Sequence, residues 1–429
     1  MNKVLIESRL LGDRYWRVEH PSGLTVFVYP KEKMRSTYAV FGTRYGSIDK
    51  SFKRSDESGT DDTPAGIAHF LEHKLFESEE GDAFARFAEL GASANAYTSF
   101  ETTRYLFSCT ENAREALEVL LDFVQSPYFT KQTVEKEQGI IGQEIKMYDD
   151  DPQWRVLFNL LRALFHNHPI KDDIAGTVES IAQITPEHLY RCYDTFYNLN
   201  NMALCVAGNC DLDEVLELCD KMLKKSEAVQ VKRVFETEPD TIVQPYVEEK
   251  LSVSLPIFEF GIKEAIKEEY RSEKDLAVTE VLLDIMASDG SSMFRKLLDA
   301  SLINEASFSY EYFEGTGYGI VLFGGESSDP KAVCDAIREE MHRLKREGVT
   351  EEEVRRSAKS LYGGNLSGLN SADVISNAVM SMAFSEREMF KYIECFTEIT
   401  AEDVNARIQT LFDDDKTAAS IIWPLDEQA

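Results

Sequence analysis

The chain has 429 residues, enough for two or three domains, and its 43% hydrophobic and 28% charged content is that of a globular protein, not a disordered or fibrous one. With 46 Lys+Arg against 76 Asp+Glu the formal charge is -30, which excludes the basic footprint of a nucleic-acid binder and opposes docking on an anionic membrane. No stretch approaches the roughly 18 apolar residues of a membrane span, and the opening MNKVLIESRLLGDRYW holds no signal-peptide core, so the sequence reads as cytoplasmic.

In chain order, Leu24 to Tyr29 is β-branched and aromatic and reads as the first strand, ended by Pro30. Tyr38 to Tyr45 is the second, and a polar, acidic stretch follows from Asp49 to Asp62. A helix is expected from Pro64 to about Phe76, capped by Thr63. Next come helix 82–90, strands near 93–99 and 103–109, and helix 111–124 with Ala113, Leu117, Leu120, Leu121 and Val124 on one face. A long helix runs from about Lys131 to Tyr148, with Thr130 as its cap. Helix 186–197, strand 202–207 and helix 212–223 close this half.

The second half repeats that order: helices 273–287 and 291–300, strands 306–312 and 319–323, and helix 331–346. Ile184-Thr185-Pro186-Glu187 and Ile399-Thr400-Ala401-Glu402 open matching helices, each followed by a strand. Such recurrence at an offset of half the chain predicts a duplicated domain. The expected fold is α+β, with residues 1–230 as an N-terminal domain, 231–249 as a charged, proline-bearing linker, and 250–429 as a related C-terminal domain. The seven cysteines form no CxxC, so reduced thiols are expected, with no disulfide framework and no cysteine-held metal.

Chemistry concentrates in the helix that begins near Pro64. His69 and His73 are four residues apart, which places both imidazoles on one face, a turn apart, able to grip one metal. Glu72 shares their arc, and a carboxylate there can accept the proton of an attacking water. Two of the seven histidines fall in this five-residue window, among Ile67, Phe70, Leu71 and Leu75, so the helix should be buried. That favours a zinc pair over a chance grouping on a solvated face. A catalytic zinc needs a third protein ligand. Glu137 and Glu144, two turns apart on the next long helix, are candidates, as is Glu77; composition does not choose among them.

The run His69-Phe70-Leu71-Glu72-His73, followed by a helix with Glu137 and Glu144, resembles the pitrilysin/insulinase family of zinc metallopeptidases, which includes the mitochondrial processing peptidase. Gly23-Leu24-Thr25-Val26, Asn95-Ala96-Tyr97-Thr98, His168-Pro169-Ile170 and Gly176-Thr177 extend the resemblance along most of the chain, toward the bacterial two-domain members. The resemblance implies two related domains, each a mixed or antiparallel sheet packed against helices, forming a half-clamshell. It implies Zn2+ held by His69, His73 and Glu144, with Glu72 as general base, Glu137 as supporting acid, and the strand with Asn95 and Ala96 as the binder of an extended peptide. Residues 273–287 contain no histidine, so only the N-terminal domain should hold metal.

One departure bears on activity. The resemblance implies an Arg and a following Tyr in the C-terminal domain, steadying the substrate carbonyl. Here the Arg position falls at or near Leu298, Arg295 is too early, and Tyr310 needs an insertion to serve. The implied partner is a homologous subunit that supplies the pair, making this chain the metal-bearing half of a heterodimeric peptidase. The alternative is a non-catalytic peptide-binding or scaffold subunit of a processing-peptidase-like complex. The remaining motifs read as structural: Gly315 to Ile320 as a turn between strands, Gly363 to Gly368 as a loop, His166 and His168 as packing residues, and Asp149 to Asp151 as a helix end.

Overall fold

The computed structural model describes residues 1–79, 81–264 and 270–425. They form two compact units, each built on one sheet with helices against it. One unit comprises Met1–Ile145, Asp172–Val234 and Leu366–Phe390; the other comprises Lys146–Lys171, Phe235–Asn365 and 391–425. Each half of the chain therefore lends one helical segment to the other unit, a trade that no contiguous division of the sequence describes.

The first unit's sheet has seven strands in the order Asn2–Ser8, Asp13–Glu19, Thr25–Pro30, Met202–Gly208, Thr37–Thr43, Thr103–Cys109 and Ser93–Thr98. The second unit's sheet has five, in the order Tyr246–Leu251, Thr417–Pro424, Ile257–Glu264, Tyr318–Glu326 and Ser309–Gly315. From Thr25–Pro30 outward the two sheets agree strand for strand: a parallel pair first, then three antiparallel pairs. The register agrees as well. Gly42 lies between Ala203 and Arg104, and Gly261 lies between Ala418 and Leu322. These are two copies of one α+β domain, and Thr185 and Thr400 cap equivalent helices with their hydroxyls.

Both glycines make room for a helix. A Cβ on Gly42 would stand 3.0 Å from Met380 and 3.1 Å from Phe384, in helix Ala372–Phe384. A Cβ on Gly261 would stand 2.9 Å from both Leu160 and Leu164, in helix Pro152–Leu164. On the opposite face of the first sheet, Tyr105 packs on Phe76 and Phe123 with ring centres 5.8 and 5.6 Å away. That aromatic layer seats the helices Ile67–Leu75 and Ala113–Val124.

Several elements differ from expectation. The strands Asn2–Ser8 and Asp13–Glu19 precede the expected first strand, and the helices Pro152–Leu164 and Ala372–Phe384 were not anticipated. Gly363 and Gly364, expected in a loop, lie inside helix Glu351–Gly368. Of the expected linker 231–249, Val231–Arg233 is a strand on Ser51–Arg54, and Arg233 reaches buried Asp49 at 2.6 Å. Tyr246 already starts the second sheet's outer strand. No helix among the described residues is long and apolar enough to cross a membrane.

The close approach at Gly261 is testable. Gly261→Val should destabilise the protein by about 1–3 kcal/mol in denaturant titrations, because the new side chain meets packed leucines. Leu160→Ala in the same chain should restore part of that loss, since its own cavity and the new methyls offset each other.

Candidate metal centre

The helix Ile67–Leu75 is buried along almost its whole length; His73 is its half-exposed member. Its start differs from the expected Thr63 cap. The chain enters through Gly66 at φ 88, with no side-chain cap. A Cβ at Gly66 would lie 2.3 Å from the Ala175 carbonyl oxygen, and one at Gly176, also left-handed, would lie 2.5 Å from the Ala65 carbonyl. Only glycine permits both the dihedral and the approach. Ser180 donates its hydroxyl to the Ala65 carbonyl at 2.8 Å and completes the clamp. The segment around Gly176-Thr177 thus fixes where this helix begins.

The helix presents His69 and His73 with ring centres 4.6 Å apart. Glu144, from helix Lys131–Asp149, faces both: its Oε1 is 3.7 Å from His69 Nε2 and its Oε2 is 3.6 Å from His73 Nε2. One donor atom from each of the three falls within 4.8 Å of the others. Separations of 3.6–3.7 Å are too long for hydrogen bonds and suit atoms that share one ion about 2 Å from each. Two imidazoles and a carboxylate are a donor set for a borderline transition cation, with no thiolate required. The residues fit a zinc-type ion.

Glu137, two turns before Glu144, lies beside the other nitrogen of His73, Oε1 to Nδ1 at 3.1 Å. That contact fixes the ring and leaves Nε2 turned toward Glu144, as a carboxylate behind a ligating histidine does. Glu77, the third carboxylate left open by the sequence, pairs with fully buried Lys74. Glu72 accepts a hydrogen bond on Oε2 from the Thr98 hydroxyl at 2.5 Å. Thr98 ends the outermost strand of the sheet, Ser93–Thr98. On that strand Asn95 is exposed and its Oδ1 accepts from the Ala96 amide at 2.9 Å. Asn95 and Ala96 therefore stand on the edge strand beside the site without touching its three donors.

Burial decides the protonation states. It pushes His69 down to about 3, with the charge of His73 adding to the effect, so the His69 ring is neutral and keeps a lone pair for a cation. The 3.7 Å approach of Glu144 to His69 is accordingly not an ion pair. Burial pushes Glu72 up to about 7, against the Thr98 hydrogen bond and the charge of His73. For His73 burial would lower the value, but the Glu137 hydrogen bond and three nearby carboxylates outweigh it and raise it. Glu137 moves the other way: burial would raise it, and the hydrogen bond and charge of His73 hold it low.

The three ligand candidates, Glu72 and Glu137 thus come together in one unit. Thr98, Lys74 and the Gly66–Gly176 clamp were not anticipated. A Thr three positions after Asn95 carries no chemical signal until the fold brings it to Glu72.

Comparison with known proteins gives a consistent picture. Residues 59–178 match the family described as insulinase (peptidase family M16), and residues 183–361 match the model described as peptidase M16 inactive domain. The uncharacterized zinc protease YmfH of Bacillus subtilis is 39% identical over 94% of this chain and 95% of its own. A protein of Arabidopsis thaliana described as a probable mitochondrial-processing peptidase subunit beta is 25% identical over 85% of this chain and 72% of its own. The crystal structure of an M16-like peptidase from Alicyclobacillus acidocaldarius superposes with a TM-score of 0.90 at 35% identity, covering 99% of both chains.

If the trio is a cation site, a divalent ion at about a hundred times its dissociation constant should stabilise the fold by about 2.7 kcal/mol. Thermal melting with and without the ion measures this. His73→Ala should remove most of the gain, and Glu137→Gln should weaken ion affinity by about 10–100-fold. Equal stabilisation of the three proteins would place the ion elsewhere.

Proposed function

The chain belongs to the insulinase family, peptidase family M16, and from that premise we propose that it is a zinc-dependent peptidase acting on extended peptides. One observation carries the reading: two imidazoles and the Glu144 carboxylate converge within 4.8 Å, with Glu72 on the same helical turn. His69, His73 and Glu144 would hold the zinc, which supplies Lewis acidity toward a peptide carbonyl and acidifies the attacking water.

The chain's own groups supply the rest. His69, kept neutral by burial, and His73, fixed through Nδ1 by Glu137, each turn Nε2 toward Glu144, where the three would hold the ion. Thr98 occupies Oε2 of Glu72, leaving Oε1 to take the proton of the attacking water and return it to the leaving amine. Burial raises this carboxylate to about 7 in the metal-free protein, and the charge of a bound cation would bring it down again and favour the ionised base. The strand Ser93–Thr98 is outermost in its sheet, so an extended peptide can add to it by backbone pairing. Thr98 then joins the binding strand to the base: the strand that would hold the substrate also orients Glu72.

The missing Arg and Tyr support the heterodimer reading. Leu298 stands in helix Ser292–Asp299, the Arg295 Nε donates to the Asp289 carbonyl at 2.8 Å, and the Tyr310 hydroxyl donates to Asp284 at 3.2 Å. Both substitute residues are engaged within their own unit. A homologous chain that supplies the pair fits this reading, as does the likeness to a protein described as a processing-peptidase subunit. The second reading, a peptide-binding subunit without turnover, rests on the same missing pair and on the match to a model described as an inactive domain.

Three proteins separate the readings. Glu144→Gln should purify with little zinc. Glu72→Gln should keep its zinc and lose about 10²–10⁴-fold in kcat/KM on unstructured peptides. The wild-type chain should be weak alone and gain activity with a homologue bearing the Arg and Tyr. Full activity alone would contradict the heterodimer, and turnover that survives Glu72→Gln would contradict the mechanism.

A further inference from the structure

Four cationic side chains are buried among the described residues: Lys74, Arg104, Lys263 and Arg407. Three have a carboxylate partner. Lys74 pairs with Glu77, Lys263 with Glu238 at 2.5 Å, and Arg407 with Glu264 at 2.5 and 2.8 Å. Arg104 is 6% exposed and, among the described residues, has no carboxylate within ion-pair distance. Its contacts are neutral: the Ser381 hydroxyl at 3.0 Å, the backbone and side-chain oxygens of Asn377 at a long 3.4 Å, and the rings of Tyr97 and Phe384. Its Nε is buried without any partner. A guanidinium does not deprotonate in proteins, so its burial without a counter-ion is costly.

Packing does not require that charge. In the duplicated sheet the position of Arg104, beside the equivalent glycine, is held by Leu322, which is also buried. The same face of the same sheet, with a helix across it, is therefore stable with an aliphatic side chain there. The arginine needs another explanation, and its place in the sheet offers one. Arg104 sits on the strand next to the edge and lies directly opposite Tyr97 of the outermost strand. Thr98, which donates to Glu72, and Thr103 directly opposite it belong to the other face.

A peptide added along Ser93–Thr98 would send alternate side chains to the two faces. One set would meet the Glu72 side, and the other would meet Tyr97. With strands about 4.8 Å apart, the added chain would run roughly 10 Å from the Arg104 backbone, within the combined reach of an arginine and a glutamate. Tyr97 is 38% exposed, its ring lies 5.7 Å from the guanidinium, and its hydroxyl donates to Asn377 at 3.1 Å. It leads from the open edge to the buried charge.

We propose that Arg104, with Tyr97 and Asn377, forms a subsite for a carboxylate side chain of a peptide laid along the edge strand, so that Asp or Glu is favoured at the one position that faces Tyr97. The inference rests on the peptidase reading, because it needs a peptide on that strand. It also runs against the protein's net charge of -30, which repels acidic peptides as a whole and makes a local preference for them diagnostic.

The test measures binding, so that failure here is distinguishable from failure of catalysis. Zinc-loaded Glu72→Gln protein is titrated with labelled, amidated, otherwise neutral peptides in which a single Glu is walked along the chain, each against its Gln counterpart. The expected result is roughly tenfold tighter binding for Glu at one position of the peptide, the size of one charge-assisted hydrogen bond, and no gain at the positions on either side of it. Adding Arg104→Met should flatten the profile while leaving the all-neutral peptide within about twofold; should that protein melt early, Asn377→Ala at the rim should flatten it instead. Peptides that bind with no difference between Glu and Gln overturn the subsite and leave the peptidase reading standing. A gain that needs a free C-terminal carboxylate, shown with unamidated peptides, overturns the side-chain assignment. Failure of every peptide to bind overturns both.

Discussion

Two carbonyl oxygens decide where the site helix begins. The Ala175 oxygen presses on Gly66 and the Ala65 oxygen presses on Gly176, a reciprocal approach that no side chain at either position could share. Because that crossing sets the first turn, His69, Glu72 and His73 emerge at fixed heights from a helix that packing holds on nearly every side. The Phe76, Phe123 and Tyr105 rings then lock its far end against the sheet. A site built on a rigid, buried element loses little entropy when a ligand arrives, which is what pre-organisation means in physical terms.

The same burial writes the chemistry. Dehydration keeps His69 neutral, the state that metal ligation requires, and raises Glu72 in the metal-free protein. Where a charge is to be retained, the fold supplies a partner, as Glu77 does for Lys74 and Glu238 for Lys263. Seen against that habit, a buried guanidinium without a carboxylate is the exception. The duplication sharpens it, since the second copy solves the same packing problem with Leu322.

Much of this was legible in the sequence. Spacing alone put His69, Glu72 and His73 on one helical face, and the order of elements indicated duplication, which the matching strand order and register of the two sheets now show. Spacing could not choose among Glu77, Glu137 and Glu144, because 137 and 144 share a face; only the tertiary placement sends one to both Nε2 atoms and the other to Nδ1. The strand Asn2–Ser8 escaped notice because it is mostly exposed and shows no apolar alternation. Gly363 and Gly364 misled for the opposite reason. They stand on a helix face with nothing near them, where glycine costs stability but breaks nothing, while Val354 and Ala358 anchor the helix. The helix Pro152–Leu164 does carry a local signal, Asp151 as cap before Pro152 at its first position, but nothing local shows that it and Ala372–Phe384 each pack in the other half's unit.

The central claim is that two imidazoles and one carboxylate of this unit grip a single zinc ion. Anomalous diffraction at the zinc edge from crystals of the zinc-loaded protein tests it most directly. The account predicts one strong peak about 2 Å from Nε2 of His69, Nε2 of His73 and a carboxylate oxygen of Glu144. A peak that lies on Glu137 or Glu72 without Glu144, or elsewhere in the molecule, would contradict it.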